Sequence, residues 1–293
     1  KKSLNRNENG RQPNVYRKGW MVMNTAWYAN LTDLRRALGL TAAQTADDAL
    51  LGDLLEASTR LIEAHTGRWF APVMATRLYS FVASDYVPLD ADLLKLNGIT
   101  HPGGAIALSD VHLEPLNAAV KTLITLDPGA VALTHSGDPV GAVGVVAVWG
   151  FHPTWNTAWI VSDQSVDDDP LTSAAQTLTV LDSAPFSVGN LLSIEGEYLR
   201  VLAVNTDTHT LTVARGVNGS NAAEHARETP ISIYAPPADV RQACLRLASW
   251  LYRQKDVGFA QAMGGLRGQA IVPSALPEDV QQILMPYVRI RVS

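Results

Sequence analysis

The side chains in this 293-residue chain whose types and spacing invite a chemical reading are a few carboxylates, histidines and tryptophans. Glu195 and Glu197 alternate in a strand-like run, which puts both carboxylates on one face, as an acid pair for glycoside hydrolysis would need. The pattern ties no further acid, nucleophile or histidine to them, so they read as structural. Asp167-Asp168-Asp169 offers oxygen ligands for a hard cation, but it lacks the glycine and terminal glutamate of a calcium loop and reads as a solvated turn. The seven histidines show no spacing of the H-E-x-x-H kind. His65 falls on the apolar face of a helical run, where a packed or capping histidine is the plainer reading, and His101 and His152 each precede a proline and mark turns. Gly264-Gly265-Leu266-Arg267-Gly268 follows no strand and precedes no Lys-Ser/Thr, so it reads as an inter-subunit loop and not a phosphate cradle. The expectation is a chain without catalytic, cofactor-binding or metal residues, hence not an enzyme. A hydrolase using the Glu195/Glu197 pair is the reading this sets aside.

Trp149, Trp155 and Trp159 form the other cluster. Indoles of this kind stack on sugars, which would suit a carbohydrate- or host-binding decoration module. More often they fill a sheet core or a seam between subunits, because each carries much buried area. With Trp250 they are the candidate subunit-interface residues.

The bulk composition supports a packed, non-reactive body. At 47% apolar and 17% charged residues the chain is ordinary for a globular protein and wrong for a disordered one. A single cysteine, Cys244, excludes an internal disulfide and a cysteine-based zinc framework. The longest apolar stretch, Val140 to Phe151, is broken by three glycines, falls far short of the roughly 20 residues that span a bilayer, and reads as a buried strand. No membrane partner is expected. The first twenty residues hold Lys1, Lys2, Arg6, Arg11, Arg17 and Lys18 against Glu8 and lack the apolar core of a secretory signal; Met21 and Met23 offer alternative starts. This basic leader reads as a solvated tail or as a contact for DNA or an acidic neighbour.

Periodicity places the elements. Asn30 or Thr32 caps a short helix with Leu31, Leu34 and Leu38 on one face, stopped by Gly39. A longer helix follows, with Leu50, Leu51, Leu54, Leu55, Ser58, Leu61, Ile62 and His65 on its stripe, Thr45 with Asp48 as a capping box and Gly67 at its end. The period then changes to two. Thr76 to Val82, Tyr86 to Leu89, Ala105 to Leu113, Val120 to Leu126 and Val143 to Trp149 read as strands, and so do Leu178 to Leu181, Leu191 to Ile194, Tyr198 to Val204, Thr210 to Ala214 and Ile231 to Tyr234. The second group suits a small barrel or sandwich. Its ten carboxylates face only Arg200, Arg215 and Arg227, a balance that repels DNA. Helix returns after Pro236-Pro237 with Val240, Ala243, Cys244, Leu247 and Leu251 as its stripe. A last short helix opens at Pro277, buries Val280, Ile283 and Leu284, and stops at Pro286.

Apolar stripes near both ends each need a partner, and the simplest partner is the other. The expected class is α+β: terminal helices in one antiparallel bundle, with β-barrel or sandwich-like insertions between. The boundaries are a basic extension over 1–23, helical parts over 24–72 and 236–286, β-rich segments over 73–154 and 155–235, and a C-terminal arm over 287–293.

The ends resemble the head-to-tail connector adaptors of long-tailed bacteriophages. The resemblance is carried by Leu31-Thr-Asp-Leu-Arg-Arg-Ala-Leu-Gly39, by Asp47 through Gly67-Arg-Trp-Phe70, by Pro237 through Asp256, and by Leu276-Pro-Glu-Asp-Val280 through Pro286-Tyr-Val-Arg-Ile-Arg291. The middle departs from compact members of that family in the size of its β insertion, which resembles a module of phage structural proteins through Phe186 to Val201 and Leu211 to His225. The resemblance implies a virion protein of the neck, made in the host cytoplasm. Such proteins form a homo-oligomeric ring, usually of twelve subunits, that contacts the portal protein above and a stopper or tail-terminator below and passes genomic DNA without reading it. It also implies a portal-docking arm, which here would be Tyr287, Val288, Arg289, Ile290, Arg291 and Val292, whose alternation suits a strand added to a partner's edge.

Overall fold

The computed structural model describes residues 25–41, 43–80, 85–127, 140–254 and 276–289. Its elements are four α-helices and two six-stranded antiparallel sheets, an α+β chain that is mostly β.

Helix α1 (Leu31–Leu38) starts where the Asn30 side chain accepts the Asp33 N–H at 2.8 Å, and ends at Gly39, whose φ of 72° only glycine adopts cheaply. Helix α2 (Asp48–Thr66) ends in the same way at Gly67. The expected capping box does not form. Asp48 N–H donates to the Thr45 backbone carbonyl, and the Asp48 carboxylate is taken by Arg35 of α1 at 2.8 Å. Helices α3 (Ala238–Gln254) and α4 (Glu278–Leu284) lie at the far end of the chain. The last α-helix ends at Leu284, just short of Pro286 as expected, and the winding tightens into a 3-10 turn over Met285–Tyr287, which tolerates a proline in its first positions.

The four helices share one apolar core. Leu34 of α1, Leu51, Leu55 and Ile62 of α2, Val240, Ala243, Cys244 and Leu247 of α3, and Val280 and Leu284 of α4 are all buried in it. Tyr28 is fully buried beside them, donating its hydroxyl to Glu63 at 2.7 Å, accepting the Phe70 N–H at 2.8 Å, and meeting the Phe70 ring edge-on.

The first sheet comprises β1 (Val73–Tyr79), β2 (Tyr86–His101), β3 (Gly104–Ile106), β4 (Val111–Glu114), β5 (Lys121–Leu126) and β6 (Val143–Trp149), in the order β1-β6-β2-β5-β4 with β3 on β2. The stretch expected to be a buried strand is β6, in the interior of this sheet. Strand β2 runs far past the expected Leu89. Asp90 and Asp92 look like a turn in sequence, but Asp90 is held by Arg77 and Tyr79 and Asp92 by Arg68, while β2 changes partner from β5 to β6. The expected single strand Ala105 to Leu113 is split into β3 and β4 by a 3-10 turn at Leu108–Asp110.

The second sheet comprises β7 (Trp159–Ser165), β8 (Thr177–Thr179), β9 (Leu191–Ile194), β10 (Glu197–Asn205), β11 (Thr210–Ala214) and β12 (Pro230–Tyr234), in the order β7-β12-β9-β10-β11-β8. Its two edges meet where Asp167 N–H, just past β7, donates to Thr179 O of β8 at 2.9 Å, so the sheet curls toward a barrel round Leu178, Leu192, Ile194, Leu199, Leu211 and Ile231. Strand β7 escapes a reading by alternation, because its consecutive residues Ile160 and Val161 are both exposed. No helix among the described residues is long and apolar enough to cross a membrane.

Candidate functional site

The C-terminal arm begins as part of this chain's own core. Tyr287 packs edge-on against Phe70 and Phe151, donates its hydroxyl to Asp239 at 3.0 Å, and presents its carbonyl to Arg68 at 2.8 Å. Burial and then the Asp239 carboxylate push its phenol up to about 12. Arg289 N–H donates to the Thr66 carbonyl at the end of α2, and its guanidinium takes the Asp90 and Leu89 carbonyls, which lie where β2 is between partners. Val288, between them, is exposed. Tyr287 and Arg289, two of the residues expected to form the portal-docking arm, are therefore engaged within the chain. Ile290, Arg291 and Val292 lie outside the described residues.

The tryptophans divide. Trp149 is fully buried in the first sheet, donates Nε1–H to the Ala75 carbonyl at 2.8 Å and lies under the Arg77 guanidinium, so its ring is enclosed by its own sheet. Trp155 and Trp159 are partly buried and meet edge-on, with Trp159 stacked on Tyr198 at 5.3 Å and against Tyr234. They seat the second sheet on the helical core. One face of the Trp159 ring is thus taken by Tyr198. Trp250 of α3 is partly buried on the same core.

The acid pair does not share a strand face. Glu195 and Gly196 form the β9–β10 turn, with φ of 48° and 90°, and only Glu197 enters β10. Nor are they without a histidine. The buried His225 ring bridges them, Nδ1 to Glu195 at 2.9 Å and Nε2 to Glu197 at 2.8 Å. Glu197, 3% exposed, also receives both arms of the Arg215 guanidinium and the N–H groups of Gly216 and Ala223. Arg215 reaches on to the carbonyls of Thr172, Ala175 and Ala223. Burial pushes the Glu197 carboxyl up, but the Arg215, Ala223 and His225 hydrogen bonds outweigh it and hold the group below the usual carboxylate range. An acid held ionised and fully ligated by its own chain is a clasp; it has no proton to give a leaving group. The sequence signal for this clasp is the Arg215 and His225 flanking a glycine-rich loop, which spacing alone does not join to Glu197.

The remaining candidates are also structural. Asp167 pairs with Arg227, and Asp168 ties down the end of β8 through Thr179 N–H and Oγ1, both at 2.8 Å. No group of three or more His, Cys, Asp or Glu among the described residues is placed to hold a metal. His101, the last residue of β2, and His152 each lead into a turn, as expected. The former accepts the Gly103 N–H, and the latter accepts the Thr154 N–H at 3.1 Å while Nε2–H donates to Ala235 O at 3.1 Å. Residues 264–268 lie outside the described ones. Asp163, Asp169, Asp182, Asp207, Glu224 and Glu228 are exposed around the second sheet, while Arg215 is consumed by Glu197 and Arg200 lies over Trp27. The surface of this body is acidic.

Two residues that pattern did not single out join the bodies. Trp27 wedges between Gly52 of α2 and Gly189 before β9. Asn218, buried at φ 51°, takes the Thr25 N–H on Oδ1, donates Nδ2–H to Pro72 O, and accepts the Met74 N–H on its carbonyl.

No protein-family model matches the chain, and no curated protein matches it. Among solved structures it resembles the neck of an empty GTA (gene transfer agent) particle computed with C6 symmetry, at 14% identity and a TM-score of 0.43, over 91% of this chain and 92% of that one.

Proposed function

We propose that this chain is a structural subunit of the neck of a phage-like particle. In this reading it is an adaptor that assembles as a twelve-subunit ring between the portal and a stopper or tail-terminator, lets DNA pass, and performs no reaction. The observation that carries the reading is the convergence of the four segments that resemble connector adaptors. They are separated by some 170 residues of β structure, yet Leu34, Leu51, Ile62, Phe70, Val240, Leu247, Leu276, Val280 and Leu284 lie in one core. Helices α1 to α4 act here as the antiparallel bundle that packs against its copies around the channel. The acidic second sheet keeps the genome from adhering wherever it meets DNA. Because Tyr287 and Arg289 are engaged within the chain, the portal contact falls to the exposed Val288 and to Ile290, Arg291 and Val292.

Size-exclusion chromatography with light scattering, followed by portal pull-down, tests this. A ring that binds portal, and a chain lacking residues 290–293 that stays folded but no longer binds, are the expected results. A chain that stays monomeric at high concentration and ignores the portal would end the reading.

A further inference from the structure

The Glu197 carboxylate gathers the two ends of one loop, residues 215–225. Arg215 and Gly216 at its start, and Ala223 and His225 at its end, all bond that carboxylate at 2.7 to 3.0 Å. Between them the chain turns back on itself. Gly216, at φ 59°, sits where a Cβ would lie 3.0 Å from the Ala222 nitrogen, and Asn218 and Gly219 follow at φ of 51° and 79°. Glycine permits such angles but does not select them, so the anchors set the shape of the loop. The other anchors are neutral. The Tyr198 carbonyl accepts the Val217 N–H at 3.0 Å, the Tyr198 N–H donates to Ser220 Oγ at 2.8 Å, and His225 exchanges backbone bonds with Leu171. The bonds to ionised Glu197 are charge-assisted, roughly twice as strong as neutral ones, and they are shielded from water. Glu195, with 62% of its side chain exposed, holds the second nitrogen of the His225 ring and gives the clasp its one face to solvent.

What this loop carries is Asn218, which bonds Thr25 N–H at 2.8 Å, Pro72 O at 2.9 Å and Met74 N–H at 2.8 Å. None of the three belongs to the second sheet. Thr25 leads toward α1, Pro72 precedes β1, and Met74 lies in it. The second sheet is seated on the helices by other means, through Leu191, Tyr198 and Tyr234 in the shared core and through Trp27 between Gly52 and Gly189. The loop therefore serves the joint with β1 and Thr25, not the seating of the sheet that bears it. We propose that the Glu197 clasp is the latch of this joint: closed, it holds Asn218 against Thr25 and the head of β1, and when it opens the joint comes free as one unit while the helical core stays folded.

Amide hydrogen exchange on the full chain tests the proposal. The Gly216 and Ala223 amides report the clasp, those of Thr25 and Met74 report the joint, and those of Leu55 and Leu247, inside α2 and α3, report the core. In the wild type the first four should share one opening that leaves the core amides protected. Glu197→Gln removes the charge from the clasp. It should speed exchange at Thr25 and Met74, whose bonds go to Asn218 and not to Glu197, by at least about tenfold together with Gly216 and Ala223, as loss of a charge-assisted hydrogen bond does, with Leu55 and Leu247 still protected. Glu195→Gln, at the solvent face, should move the same four amides in the same direction by less. Four unchanged amides in Glu197→Gln would overturn the proposal, as would Thr25 and Met74 amides that keep their protection where Gly216 and Ala223 lose theirs. Core amides that exchange as fast as the joint in Glu197→Gln would also overturn it, because the clasp would then hold up the whole fold.

Discussion

Gly189 faces the six-membered ring of Trp27 so closely that a Cβ at this position would overlap it, and its φ of 93° is one that L side chains rarely adopt. On the other side Gly52 of α2 leaves room for the same indole, an added Cβ there lying 3.1 Å from Cη2. Arg200 of β10 stacks on the ring. Trp27 thus fills a slot with a glycine from each body as its walls. Gly189→Ala is expected to cost about 2–4 kcal/mol through overpacking and backbone strain. In urea unfolding, Gly189→Ala added to Trp27→Ala should cost less than in the wild type, since the steric conflict is gone; full additivity would show that the ring does not set the cost.

The Glu197 clasp should behave as a buried ion pair. Glu197→Ala leaves Arg215 buried without its carboxylate and is expected to cost about 3–5 kcal/mol. Glu197→Met with Arg215→Met should recover part of that, because neither charge then remains buried unpaired. The pH sign follows from the depressed folded pKa. The clasp's contribution is present above the ordinary carboxylate value of 4.5 and is lost as pH falls through the lower folded value. Thermal unfolding between pH 6 and 3 should show an acid loss that the double methionine variant lacks.

His152 gives a second acid effect at a higher pH. Burial lowers its pKa from 6.5, its two backbone hydrogen bonds opposing this only in part. The neutral ring fits its site, since Nδ1 must accept from Thr154 while Nε2–H donates to Ala235. The unfolded chain therefore binds the proton more readily, and stability that is full above 6.5 declines as pH falls toward the folded value. His152→Asn should flatten the stability profile over that range; an unchanged slope would mean that this ring does not titrate with unfolding.

Most of what the sequence pattern made legible was helical or locally alternating. Stripes at 3.6-residue spacing located α1 to α4 because each buries one face in the same core, and Gly39 and Gly67 marked ends that demand a positive φ. What escaped was set by distant partners. Asp90 and Asp92 imitate a turn in sequence and stay in β2 only because Arg68, Arg77 and Tyr79 meet them. Glu195 was assigned to a strand because periodicity does not see a two-residue turn whose first member is not glycine. The tie from His225 to Glu197 spans 28 residues, and no spacing rule encodes it. The arm's first residues read as a strand for the portal because alternation looks the same whether a strand's partner is another chain or, as for Arg289, the end of α2.

Asn218 is where these long-range ties concentrate. Its side chain serves Thr25 and Pro72 while its carbonyl serves Met74, so one residue of the β11–β12 connection fixes both the start of β1 and the chain at Thr25. Asparagine suits the position because it tolerates a φ of 51° while keeping a donor and an acceptor on a short stem. Asn218→Gly keeps the backbone conformation and the Met74 hydrogen bond but strands the Thr25 N–H and the Pro72 carbonyl, at an expected cost of about 2–3 kcal/mol. Asn218→Ala should cost more, because it adds strain at the positive φ. If the two variants proved equally stable in urea unfolding, the side-chain bonds alone would carry the junction and the backbone geometry would be incidental.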